Sequence, residues 1–347
     1  MLRIDSAHRA YMASKGIVTD AKAFVQDGWG EDFSLAMDAQ PTLITAGNVG
    51  IPAFLSNIID PQVVRVLLAP TKAVTIFGEQ KKGDWTTMTA QFPIAEIAGQ
   101  VTSYGDYNAG GSSSANFNWV PRQSYHFQTV TQYGQRELEM YGLAKINYVS
   151  ELDVSAANSI NRFRNTSYFF GVAGLPNNFG ALNDPSLLAA ISPLAKASTG
   201  TNWADPKTTA LEMFADVRAL FTQLVIQMAG LLEINMSTKM KMCLSPLQES
   251  YLLQVTTFNV PALTTIKQAF PNLTIETAPE YSTQAGQLIQ LFLPDVDGVQ
   301  TTYCAFTEKM RVHPVIPNLS SWAQKKSGGT WGTIIRRPVC IAQMLGA

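Results

Sequence analysis

Charge is scarce in this chain of 347 residues: Asp, Glu, Lys and Arg together make up only 15%, where soluble domains usually carry about 25%. Thr, Ser, Asn and Gln supply polarity instead, so much of the outer surface is expected to lie against other protein rather than water. The deficit has no sign, since the formal net charge is −1. No basic block exceeds the pairs Lys81-Lys82, Lys325-Lys326 and Arg336-Arg337. That argues against tight gripping of a nucleic-acid backbone, because counterion-release affinity needs a basic track.

Cysteine and histidine are also sparse. Cys243, Cys304 and Cys340 are widely spaced and odd in number, with no C-x-x-C pair, which removes support for a disulfide framework or a zinc site. Their apolar neighbours mark them as buried thiols of a reducing compartment. His8, His126 and His313 fall in different regions without a carboxylate or cysteine at ligand spacing, so no metal and no cofactor is expected. Long hydrophobic runs are missing as well. Val63 to Ala69 is broken by Arg65 and falls far short of the roughly 18 residues a membrane span needs. The N-terminal stretch lacks the apolar centre of a secretory signal. The expectation is a soluble protein made in the cytosol, with no membrane partner.

Catalytic signatures are missing too. There is no H-E-x-x-H, no G-x-S-x-G and no Walker loop; Gly28-Trp29-Gly30 continues with Glu-Asp-Phe and follows no strong strand, so it reads as a turn. Glu137 with Glu139, and Asp295 with Asp297 before Gly298, could do acid–base work or bind calcium weakly. Helix charge and turn chemistry account for them better. Arg162 and Arg164 suit a solvated helix C-terminus.

What is present is a stretch from Trp85 to Tyr133 with only three charged side chains, Glu96, Asp106 and Arg122. Its centre, VTSYGDYNAGGSSSANFNW over Val101 to Trp119, is a turn-rich tip between strand-like alternations of Thr, Tyr, Phe and Val. The pattern predicts one long two-stranded excursion beginning at Ala73-Val74-Thr75-Ile76-Phe77. Arms of roughly twenty residues at about 3.3 Å each would reach some 60 to 70 Å. An isolated ribbon is at best marginally stable in water, so its partner surface is expected on another molecule. Trp119, Tyr125 and Phe127 could stack on bases, but without interleaved basic residues packing against protein fits better.

The rest of the chain alternates. Residues 1–61 read as an extended arm without sustained periodicity. Gln135 to Phe170 predicts a long helix, with Val149, Leu152, Ala156, Ile160, Phe163 and Phe170 on one face and room for a break at Gly142. Gly171 to Asn183 is a stop rich in glycine, proline and asparagine. Asp205-Pro206 is expected to start a helix of about 25 residues lined by Leu211, Phe214, Val217, Phe221, Leu224, Met228 and Leu231. A strand at Lys241 to Leu244, a capping box at Ser245-Pro246-Leu247-Gln248, a helix over Leu263 to Phe270 and a strand at Leu273 to Glu276 make an α/β lobe. Gln287 to Leu293, Thr301 to Thr307, Met310 to Val315 and Thr333 to Met344 read as further strands, the last two joined by a loop rich in Gly, Ser and Lys. No internal repeat is present.

This order of extended arm, long two-stranded loop, spine helix, glycine-rich stop, α/β lobe and terminal strands resembles the major capsid protein of tailed bacteriophages, the Hong Kong 97 type fold. Ile266-Lys267-Gln268-Ala269-Phe270-Pro271-Asn272-Leu273 is also similar to that family's passage from helix to strand in the A-domain. The resemblance implies an α+β fold divided into an N-terminal arm (1–61), a lead-in to the P-domain (62–72), an E-loop (73–133), a P-domain spine helix and stop (134–182), an A-domain (183–302) and P-domain terminal strands (303–347). It implies a non-enzymatic subunit that self-assembles into pentamers and hexamers of a virion head enclosing double-stranded DNA without sequence-specific binding. Assembly would take place in the host cytoplasm, with portal, scaffold and decoration proteins as further partners. Tyr104, Tyr107, Phe117 and Trp119 are then the candidate inter-subunit contacts of the E-loop. Some relatives cross-link through an E-loop lysine; Lys81 and Lys82 lie at the base rather than the tip, so that chemistry is not carried over. The rival readings are an encapsulin-like nanocompartment shell, a tail-tube or baseplate component, and a hydrolase with an inserted ribbon.

Overall fold

The computed structural model describes residues 70–347 apart from 144–145, 198–199 and 257–258. The arm expected over 1–61, most of the lead-in 62–72, His8 and Gly28-Trp29-Gly30 lie outside the described residues.

The strand expected to open the excursion at Ala73 is instead a short helix, α1 (Ala73–Phe77), with Ala73, Ile76 and Phe77 buried. The burial spacing i, i+3, i+4 is that of a helical turn, although the residue types alone also suit a strand, and tertiary contacts decide. Phe77 packs its ring against Phe169 and Phe292, and Lys241 Nζ donates to the Ile76 carbonyl at 2.6 Å, holding the helix C-terminus. After β1 (Glu79–Lys81), the ribbon is β2 (Thr89–Gln100) against β3 (Ser112–Gln123), in unbroken antiparallel register from Thr89 opposite Gln123 to Gln100 opposite Ser112. Each arm has 12 residues, a reach of about 40 Å rather than 60 to 70 Å. The returning chain leaves the ribbon at Ser124, whose N–H donates to the Met88 carbonyl at 2.8 Å, and continues as β4 (Tyr125–Gly134) in the body of the protein.

The long helix divides into α2 (Gln135–Leu143) and α3 (Tyr148–Phe170), with Gly142 close to the break and Asn147 capping α3 by accepting from the Ser150 N–H. Glu137 accepts from the Gly134 N–H at 3.1 Å and Glu139 from the Gln135 side chain, which is helix-end chemistry. The next helix, α4 (Ala210–Met228), starts four residues later than Pro206. Asp205 spends its side chain on the Lys207 N–H in a turn, and Thr209 with Glu212 forms the capping box. Met213, Val217, Leu220, Leu224 and Met228 are its buried apolar face, whereas Leu211 and Leu231 are exposed. β5 (Met240–Leu244), α5 (Pro246–Tyr251) with its Ser245–Gln248 capping box, α6 (Ala262–Ala269) and β6 (Leu273–Thr277) fall where the pattern places them.

Then follow β7 (Ser282–Thr283), β8 (Gly286–Phe292) and a small hairpin of β9 (Asp295–Val296) and β10 (Val299–Gln300). Asp297 and Gly298 both have positive φ at that turn, as a two-residue mirror-image turn requires. Two strands expected separately merge into β11 (Thr302–Pro317), and the expected Gly-, Ser- and Lys-rich loop is part of β12 (Ser321–Ile335). The glycines there serve close approach rather than chain reversal: a Cβ on Gly329 would lie 2.0 Å from Thr307 Oγ1. Gly332 combines φ +73° with a backbone carbonyl, Phe179 O, 2.2 Å from where a Cβ would sit. Last comes β13 (Ile341–Leu345).

Two sheets result. One has four strands in the order β1-β11-β12-β4, and the other has five, β13-β8-β5-β6 with β7 on β8. β13 therefore joins the second sheet, where its Ile341 and Met344 fill the apolar interior. One core, with Met213, Leu220, Leu224, Met242, Ile266 and Leu291, lies between α4, α6 and the second sheet. Another, with Ile76, Tyr168, Phe169 and Phe292, joins α1 and the end of α3 to that sheet. A third, Tyr303, Ala305, Trp331 and Ile334, receives Ala90 and Phe92 from the ribbon base. Phe92 and Ala90 are themselves only partly buried, and by packing on this cluster they fix the ribbon at its root.

Candidate assembly surfaces

The ribbon carries the strongest candidate surface. Tyr104 and Tyr107 at the tip are 92% and 103% exposed, and Phe117 and Trp119 midway along β3 are 63% and 54% exposed. The four do not converge on one pocket. Phe117 and Trp119 are two residues apart on one strand and so share a face, while the tyrosines occupy the turn, where Tyr104 donates to Asp106 at 2.8 Å. Val101 and Met88 extend the exposed apolar surface toward the tip and the base. Aromatic side chains bury about 150–250 Å² each when covered, so these positions offer the largest apolar area exposed on the ribbon.

At the ribbon base, Tyr125 and Phe127 pack on Phe163 of α3 at ring distances of 5.8 and 4.7 Å, which settles them as packing residues. Trp85 meets His126 edge to face at 4.5 Å. Lys81 pairs with Asp84 at 3.7 Å, and Lys82 lies over the Tyr303 ring. Arg164 is not a free helix-end cation: it lies 3.6 Å from Glu79, which also holds Lys309 and accepts from the Tyr168 hydroxyl at 2.9 Å.

A second apolar surface was not legible in the sequence. The far end of β11 and the turn into β12 expose Val312, Val315, Ile316 and Leu319, with Met140 and Leu143 of α2 also uncovered. The alternation Val312-His313-Pro314-Val315 was its only signal, and Pro314 and Pro317 obscured it.

The three cysteines are free and buried, and burial pushes the Cys243 thiol up to about 12 and the other two upward as well. Among the described residues no cluster of His, Cys, Asp or Glu could hold a metal ion, and no helix is long and apolar enough to cross a membrane.

The profile of the Pa193 gp26 major capsid protein family matches residues 42–346. The chain belongs to this family. It is a phage major capsid protein, with a structural role in the shell of a virion. No curated protein matches it in sequence. Solved structures show the fold: the capsid of the Myoviridae phage XM1 is 12% identical with a TM-score of 0.69, over 87% of this chain and 100% of that one. The capsid of a native GTA particle is 12% identical, with TM-score 0.57 over 89% and 100% of the two chains. The capsid of cyanophage P-SCSP1u is 10% identical, with TM-score 0.53 over 89% and 99%. The capsid protein thus has the Hong Kong 97 type α+β fold, and the family match supports neither the tail-component nor the hydrolase reading.

Proposed function

We propose that this capsid protein forms pentamers and hexamers in the wall of a phage head, with the β2–β3 ribbon acting as the E-loop that lies over a neighbouring subunit. The observation that carries the reading is the ribbon itself: fixed at its root, uncharged over most of its length, and exposing Tyr104, Tyr107, Phe117 and Trp119. In this reading the first sheet with α3 as spine is the P-domain. The second sheet with α4 is the A-domain, whose copies meet around the capsomer axis. Many modest interfaces repeated by symmetry make a stable shell from weak pairs. The clasp is non-covalent, because Lys81 and Lys82 are engaged at the ribbon base.

A wall with a net charge of −1 contains double-stranded DNA without gripping it. Assembly takes place in the host cytoplasm, with portal, scaffold and decoration proteins as further partners. The test is to delete Gly99–Ser114 and close the arms with Asn-Gly. The expected product is a folded subunit that builds no shells, and normal closed particles would sink the ribbon's role.

A further inference from the structure

The only arginine of the charge-poor stretch does not face a neighbour. Arg122, the penultimate residue of β3, is 4% exposed, and its Nη2 lies 2.5 Å from Asp184 Oδ2 while its guanidinium sits 5.0 Å from the centre of the Phe179 ring. Beside it, the Gln123 N–H donates to the Asn177 carbonyl, and Asn178 Nδ2 donates to the Gln123 carbonyl, both at 2.9 Å. The end of β3 is therefore tied to the loop of residues 177–184 by a buried ion pair, a stacked ring and two hydrogen bonds.

That loop is itself held from several sides. The Ala181 and Leu182 N–H groups donate to the Tyr168 and Phe169 carbonyls at the end of α3, at 2.8 and 3.0 Å. The Thr333 N–H of β12 donates to the Phe179 carbonyl at 3.0 Å, and Gln290 of β8 donates to the Ala181 carbonyl at 3.3 Å. Gly180 runs so close to α3 that a Cβ there would fall 2.2 Å from the Phe169 carbonyl carbon. Asp184 keeps its second oxygen on the Ser186 N–H and hydroxyl, at 2.9 and 2.7 Å. The loop touches α3, both sheets and the ribbon, and the Arg122–Asp184 pair is its charged link to the ribbon.

We propose that Arg122 and Asp184 are positioning residues for assembly: their ion pair fixes the angle at which the ribbon leaves the body, and through that angle the curvature of the shell. A ribbon about 40 Å long turns a small change at its root into a displacement of several ångströms at its tip, about 7 Å for 10°. A dry, guanidinium-centred anchor resists this better than a solvated one, since low dielectric strengthens the pair and its planar donors are preorganised. The proposal rests on the reading of the ribbon as the clasp.

The test uses the dilute, unassembled full-length chain with spin labels on Ala109→Cys at the tip and Ser155→Cys on α3; the three native thiols are buried. In wild type the label-to-label distance distribution is narrow. Arg122→Gln and the gentler Asp184→Asn are each expected to broaden it at least twofold, with Arg122→Lys broadening it less, and the shells they form are expected to scatter in diameter. An unchanged width in both Arg122→Gln and Asp184→Asn would overturn the latch even if deletion of the tip abolishes shells. Broadening together with normal shells from the tip deletion would instead keep the latch and remove the ribbon's role in assembly. Asp184→Asn keeps an acceptor for the guanidinium, so it gives a reading even if Arg122→Gln fails to fold.

Discussion

Removing the carboxylate of Asp216 is expected to be among the costliest single changes in the second lobe. Asp216 is fully buried on α4, where Oδ1 accepts from the Leu194 N–H at 3.0 Å and Oδ2 accepts from Trp203 Nε1 at 2.7 Å and from the Lys196 ammonium. Lys196 is itself buried, so Asp216→Leu strands an ammonium, an indole N–H and a backbone N–H without water or partner. Breaking a buried pair from one side costs about 3–5 kcal/mol, a fall in midpoint of about 4–7 °C for a chain of this size. Lys196→Met alone strands the carboxylate, though two donors remain on it, and is expected to cost less. The double variant removes both charges and is expected to be more stable than Asp216→Leu alone, with a coupling of about 2–3 kcal/mol. Urea unfolding of the four unassembled subunits, followed by tryptophan fluorescence, measures the cycle. A cost below about 1 kcal/mol for Asp216→Leu, or strict additivity, would refute the assignment of this cluster as the tie between the 194–203 segment and α4.

Gly332→Ala combines a positive φ with a clash against the Phe179 carbonyl, and it is expected to lower stability by about 3 kcal/mol or more, checked as a loss of soluble subunit and a lower melting temperature; a wild-type midpoint would contradict it. Burial raises the Glu280 carboxyl above its ordinary range, so the folded chain holds that proton more tightly than the unfolded one and the ionised group is a burden at neutral pH. The burden shrinks as pH falls through the raised folded value and is gone below the unfolded value. Glu280→Gln, which keeps an acceptor for Asn165 Nδ2, is thus expected to melt higher than wild type at pH 7 and level with it at pH 3; equal midpoints at pH 7 would count against it.

The lobe from Met240 to Thr277 was readable because its signals are local: a capping box, a proline at a helix start and short β-branched runs bounded by Pro-Asn. The first sheet was not. Its glycines at 328, 329 and 332 look like a loop until Phe127, Thr307 and Phe179 are seen pressing against them, and those partners all lie more than 20 residues earlier in the chain. Ala73–Phe77 fits strand and helix patterns equally, and Phe169 and Phe292 settle the matter from far along the chain. The four aromatic residues of the ribbon were legible because they lie in a stretch almost without charge. The buried partners of Arg122 and Asp216 were not, since an ion pair 62 or 20 residues apart leaves no periodic trace.

Negative-stain microscopy of the purified full-length protein, with a sample of the Gly99–Ser114 deletion beside it, tests the central claim most directly. Closed shells of uniform diameter from the wild type, and only dispersed subunits or isolated capsomers from the deletion, are the predicted result. A wild-type protein that stays monomeric at high concentration, or a deletion that closes into the same shells, would contradict the account.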